Sequence, residues 1–148
     1  MASISVFTIG YEERTLEEFI GRLKRNNIEV LIDVREIPAS RKPGFSKSRL
    51  SEILQTNGIN YVHMKDLGSP KALREKLHRN NDYESFFVEY RAYIDSKTEI
   101  VEELYKDIIS RETSCIMCME RLPEYCHRKI VAEKIKEIDG NGLVITHI

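Results

Sequence analysis

The sequence predicts an α/β protein: a three-layer α/β/α sandwich around a mostly parallel, Rossmann-like sheet of five strands. Three observations carry this. Short apolar runs alternate with helical patterns along the whole chain. The runs are near-continuous rather than alternating, as strands buried on both faces are. Glycine and proline are sparse and fall at the joints between elements.

The first strand is the run "ISVFTIG" (4–10), ending in glycine. Thr15 and Glu18 then form a capping-box pattern, and Leu16, Phe19, Ile20 and Leu23 recur at helical spacing. "EVLIDVR" (29–35) is the second strand. The loop 37–47 holds two prolines and a glycine, and a short helix near 48–56 carries Leu50, Ile53 and Leu54. "INYVHM" (59–64) is the third strand. A helical insert, about 66–111, separates it from the fourth. In that insert Ser69 and Pro70 are expected as cap and first residue of a helix. The patterns 83–94 and 98–109 supply two more helices. "SCIMCME" (114–120) is the fourth strand, 123–138 a helix starting at Pro123, and "GLVITHI" the fifth strand. Right-handed crossovers and sequential pairing lead to an expected strand order of 3-2-1-4-5. A chain of 148 residues with no internal repeat is expected to form a single domain, 1–148.

Composition excludes several classes. Net charge is −1, so bulk charge does not make the chain a polyanion binder. No apolar run approaches the roughly 18 residues of a membrane span, and the N-terminus lacks the basic region of a signal peptide. Three clustered cysteines argue against a secreted disulfide framework, so a cytoplasmic location is expected.

Ligands of such sheets bind beyond the carboxyl ends of the strands. There the sequence places Tyr11, Asp33 with Arg35, Tyr61 with His63, and Cys118 with Glu120. Alternation puts each of these pairs on one face of its strand. With strands ~4.8 Å apart, the expected order sets Asp33 and Glu120 roughly 10 Å apart, flanking the first strand. Two carboxylates so placed suit acid–base or positioning work. The loop "SRKPGFSKSR" leaves the same edge. Ser40, Arg41, Lys42, Lys47 and the Gly44 backbone are expected to cradle a phosphate or carboxylate. Phe45 would stack on a base or anchor the loop. No Walker-type or GxGxxG pattern occurs, so an ordinary nucleotide loop is not implied.

All three cysteines lie in "CIMCMERLPEYCHRK" (115–129). Cys115 and Cys118 fall within a strand and point to opposite faces, which excludes a redox CxxC at a helix start and assigns Cys115 to the core. Cys126, His127 and Arg128 are expected in the first turns of the last helix. The helix N-terminus and the Arg128 fork would hold an anion there, with His127 as an acid–base group. Zinc on Cys118, Cys126, His127 and His63 ranks low. Adjacent residues diverge by about a hundred degrees on a helix, which separates Cys126 from His127. No cofactor is expected.

"TIGY", "LIDVREIPASR", "YVHMKDLG" and "CMERLPEYCHR" together resemble the domain-of-unknown-function family 488 over almost the whole chain. The most specific piece is Cys118-x-Glu120 followed by Cys126-His127-Arg128. Asp33-Val34-Arg35 and Pro38-x-Ser40-Arg41 support it, and the pattern also covers Gly10, Phe45, Tyr61, His63, Leu67 and Gly68. Members often carry histidine where this chain has Tyr11. The resemblance implies an α/β domain and no established activity.

The expected function is that of an enzyme on an anionic, phosphate-bearing substrate, a nucleotide or nucleic acid. Asp33 and Glu120 would do acid–base work, Arg35, Arg41 and Arg128 would hold the anion, and His63 or His127 would relay protons. A non-catalytic nucleic-acid or protein binding module, using the basic loop 35–49, is the alternative from a different class. It would bind with a steep salt dependence.

Overall fold

A computed structural model describes residues 4–110, 112–140 and 142–148. The last residue of the expected insert, 111, lies outside these, as do residues 1–3 and 141. The order of elements is β1 (Ser5–Gly10), α1 (Leu16–Arg25), β2 (Val30–Asp33), α2 (Lys47–Thr56), β3 (Asn60–His63), α3 (Lys71–Asn80), α4 (Tyr83–Asp95), α5 (Thr98–Ile109), β4 (Ser114–Cys118), α6 (Arg128–Ile138) and β5 (Val144–His147). The five strands form one all-parallel sheet between two helical layers, so the expected fold class holds.

Two apolar clusters cover the two faces. On one face, Phe19, Ile20 and Leu23 of α1 and Leu50 and Leu54 of α2 pack on Ile9, Leu31, Cys115 and Met117. On the other, residues of α4, α5 and α6, among them Tyr90, Leu104 and Val131, pack on Val6, Ile32, Ile116 and Cys118. Alternation along β2 and β4 therefore assigns Asp33 to the α1–α2 face and Cys118 to the α4–α6 face.

The sheet order is β3-β2-β4-β1-β5, not 3-2-1-4-5. The first and fourth strands exchange places. Both orders satisfy the alternation of strands and helices, so periodicity alone cannot choose. Burial separates them: every residue of β4 is buried, whereas β1 begins exposed at Ser5 and leaves Phe7 half-buried. The shorter, wholly buried strand takes the centre.

Local chemistry explains most boundaries. The Thr15 side chain accepts the Glu18 N–H at 3.0 Å and starts α1 as its pattern predicts. Pro70, not Ser69, occupies the cap position of α3. The largest local departure follows β4. The helix expected from Pro123 begins only at Arg128. A short 3₁₀ turn, Pro123–Tyr125, comes first, and Cys126 is extended with φ −130° and ψ 139°.

Two glycines permit close backbone crossings that shape the carboxyl edge. A Cβ on Gly10 would lie 1.7 Å from the Glu120 carbonyl oxygen, and one on Gly68 would lie 2.1 Å from the Glu36 nitrogen. Glycine at these points lets the loops after β3 and β4 pack against the strand ends.

Candidate functional site

The carboxyl ends of β1, β2 and β4 open into a cavity of about 290 Å³. Tyr11 and Arg35 line it from the ends of β1 and β2, and Cys118, Glu120 and His127 from the end of β4 and the connector to α6. The expected location is therefore occupied by a cavity. A second hollow, of about 500 Å³, lies towards the amino ends of β2 and β4 and, among the described residues, is lined by no cysteine, histidine, arginine or lysine.

Asp33 sits behind this cavity, fully buried, and does not line it. Its Oδ1 accepts from the Arg35 backbone N–H at 3.1 Å and from Arg35 Nε at 2.9 Å. Its Oδ2 accepts from an Arg35 terminal nitrogen at 2.7 Å and from the Tyr61 hydroxyl at 2.5 Å. The remaining Arg35 nitrogen donates to the Phe45 carbonyl at 2.7 Å and to the Tyr11 hydroxyl at 3.3 Å. Burial acts to lower the Arg35 pKa, but the hydrogen bonds and charge of Asp33 prevail and raise it. Burial, then Asp33, also raises the Tyr61 hydroxyl. This is a saturated ion-pair knot joining β2, β3 and the loop. Asp33 and Glu120 do not flank β1, because β4 lies between β2 and β1. The two carboxylates emerge on opposite faces of the sheet, so the expected acid–base pair is not formed.

The anion-holding set is also corrected. Arg128 is buried, and its guanidinium donates to the carbonyls of Glu120 and Arg121 and to Thr8 Oγ1. It fixes the connector after β4. Arg41 is exposed and lies outside the cavity lining. Ser40 and Ser46 tie the loop to itself, and Lys42 Nζ donates to the Tyr11 carbonyl at 2.8 Å. Phe45 is fully buried, stacked on Tyr11 at 4.6 Å and edge-on to Phe19 at 5.1 Å, so it anchors the loop. His63 Nε2 donates to the Arg35 carbonyl at 2.7 Å and does not reach the cavity.

The residues after β4 converge as a group. His127 is buried, and its Nε2–H donates to the Val34 carbonyl at 2.8 Å. The Tyr90 and His127 rings pack in a T-shaped contact, 5.1 Å between centroids. Cys118 Sγ lies 3.7 Å from His127 Nδ1 and 3.6 Å from Glu120 Oε2. The Sγ atoms of Cys118 and Cys126 and a His127 ring nitrogen all fall within 4.8 Å of one another. The extended backbone at Cys126 makes this possible, which removes the helical objection to Cys126 and His127 acting together. Cys115 is buried on the opposite face, as expected.

Electrostatics differ sharply across this group. Burial, then the neighbouring Cys126 sulfur, push the half-buried Glu120 carboxyl up to about 7. The Cys126 hydrogen bond, then burial, hold the Cys118 thiol well up. Burial would raise Cys126 too, but its bond from Cys118 and the charges of His127 and Arg128 bring it well below the usual thiol range. Burial opposes protonation of His127, yet the bond and charge of Cys126 prevail and raise it.

The cavity's remaining walls come from elements whose role the sequence did not assign. Glu36, Ser69 and Arg74 add polar groups, with Arg74 donating to Glu36 Oε1 at 3.0 Å and to the Ser69 carbonyl. Ile37, Leu77, Phe86 and Tyr125 add apolar surface. Arg74 carries no sequence signal beyond lying one turn into a helix that begins at Ser69-Pro70. Gly68, which brings that helix onto Glu36, was the usable clue.

Neither a curated protein nor a solved structure matches the chain. The family model described as "Domain of unknown function DUF488" matches residues 15–135, which include every residue of the Asp33 knot except Tyr11 and all of the Cys118–Glu120–His127 group. The chain belongs to the DUF488 family.

Proposed function

We propose that the protein is an enzyme acting on a small anionic molecule bound at the carboxyl edge of the sheet. One observation carries this reading. A single cavity is lined by a thiol–carboxyl–imidazole group (Cys118, Glu120, His127), by the half-buried Arg74 and by apolar side chains. Few polar groups converging on an apolar hollow is the usual make-up of a small-molecule site. Perturbed titratable groups gathered in one cleft favour chemistry over mere packing.

The anionic end of the substrate goes to Arg74 and the amino end of α3. Arg74 is paired with Glu36, but the pair is partly solvated, so a ligand phosphate or carboxylate competes for it on favourable terms. Arg35 lines the wall but stays locked to Asp33. About 290 Å³ is near the lower end for drug-sized ligands, which favours a mononucleotide-sized or smaller molecule over a nucleic-acid strand. The exposed Ile37, Met119 and Tyr125 at the mouth suit an apolar or aromatic portion of that molecule.

The test is ligand-induced thermal stabilisation of the full chain. The panel holds phosphate-bearing and carboxylate-bearing small molecules, with their uncharged counterparts as controls. At least one anionic member should stabilise the protein, and Arg74→Gln should weaken it roughly tenfold or more, the loss of about 1.4 kcal/mol. Equal affinity for Arg74→Gln, or stabilisation by no member of the panel, rejects the assignment.

A further inference from the structure

We propose that Cys118, Cys126 and His127 bind a zinc ion, with a fourth position open to the cavity beside Glu120. The inference goes beyond the substrate reading above and does not depend on which molecule the cleft accepts.

Geometry carries it. Zinc holds sulfur at about 2.3 Å and nitrogen or oxygen at about 2.0–2.2 Å, so two ligands of a tetrahedral ion stand about 3.6 Å apart. Cys118 Sγ lies 3.7 Å from His127 Nδ1 and 3.6 Å from Glu120 Oε2. The first separation matches an edge of that tetrahedron, and the second sets the Glu120 carboxylate beside it. Cys126 Sγ completes a set whose soft and nitrogen donors lie within 4.8 Å of one another, so closing on one ion takes shifts of about an ångström.

The surroundings supply what a zinc site needs. His127 donates Nε2–H to the Val34 carbonyl at 2.8 Å, which fixes the ring and leaves Nδ1 as the lone-pair nitrogen. The Arg128 backbone N–H points at Cys126 Sγ at 3.5 Å, a contact that favours a thiolate. All three thiols of the chain are free, so no disulfide competes for these two. Two sulfurs and an imidazole select zinc over magnesium or calcium, which prefer oxygen shells. Three donors are buried, while Glu120 faces the cavity, so a substrate can reach the fourth position. That is the arrangement of a catalytic rather than a closed structural zinc.

The experiment uses the full chain under reductant, stripped with a chelator and titrated with cobalt(II), alongside metal analysis of the protein as purified. Binding of one cobalt per chain should give a near-ultraviolet sulfur-to-cobalt charge-transfer band and the intense visible bands of a tetrahedral ion, reversed by zinc. Cys118→Ser, Cys126→Ser and His127→Gln should each weaken binding by more than the roughly 10–100-fold that loss of an outer-shell partner costs. Cys115→Ala, on the other face of β4, should bind as the parent does. Circular dichroism checks that each variant is folded. A folded parent that takes up no cobalt, a spectrum without the sulfur band, or a Cys115→Ala loss as large as that of Cys126→Ser overturns the proposal. The titration needs no substrate, so its failure and that of the Arg74 assignment are separate results.

Discussion

At the scale of single residues, the same motif yields two different kinds of group. Asp33 and Arg35 looked like cleft residues because they close a buried strand, and a buried carboxylate demands a reason. The reason is the knot. Each Asp33 oxygen is already taken, by Arg35 and Tyr61, and Arg35 in turn holds Tyr11 and the Phe45 carbonyl. Removing one partner of such a pair leaves the other charge buried. Asp33→Ala should therefore lower the unfolding free energy by about 3–5 kcal/mol. Tyr61→Phe removes one hydrogen bond to a charged group and should cost about 1.5–3 kcal/mol. Urea unfolding measures both. A wild-type midpoint for Asp33→Ala would show that its burial is not what holds Arg35 in place. Which carboxylate was structural could not be read from residue types, because alternation tells which neighbours share a face and not which face meets the cavity.

At the scale of elements, the connector from β4 to α6 decides the site. Its composition was legible: a proline after β4, then Cys126-His127-Arg128 before an apolar helical stripe. The conformation was not. A proline in the first turn is equally compatible with an α-helix and with a 3₁₀ turn that stops. The stop is enforced from elsewhere. Arg128 reaches back to the Glu120 and Arg121 carbonyls, and the Glu120 carbonyl lies against Gly10 of β1. The crossing of Glu120 over Gly10 joins residues more than a hundred positions apart, and no local pattern encodes it. Gly10→Ala tests its importance. The new Cβ would meet a backbone carbonyl, not a yielding side chain, so the connector must shift. We expect a destabilisation of about 1–3 kcal/mol and, because the connector carries Cys126 and His127, a loss of cobalt affinity in the same variant. A folded Gly10→Ala protein with unchanged metal binding would mean that the crossing does not position the group.

At the scale of the whole molecule, alternation and apolar runs were enough for class and layers, while the exchange of β1 and β4 lay beyond them. That exchange matters for function. With β4 at the centre, helices leave its two neighbours β1 and β2 for one face, while α6 leaves β4 for the other. Neighbouring chains thus diverge at the β4 end, and a crevice opens there. Helix α3 of the insert lines that crevice, and it is the least firmly held of the α-helices. Helix α3 has no fully buried residue; beyond the partly buried Leu73, its ties include solvated ion pairs such as Lys76–Glu89 and Arg74–Glu36, which contribute little stability. Segments with few buried apolar contacts open first. Amide hydrogen exchange should therefore be faster at 71–80 than in the other α-helices and slowest at the wholly buried β4 and β2. A ligand that engages Arg74 should slow exchange across 71–80 and leave β4 unchanged, since β4 is already at the protection of the global fold. Equal protection of α3 and β4 in the free protein would remove the case for α3 as the movable wall of the cavity.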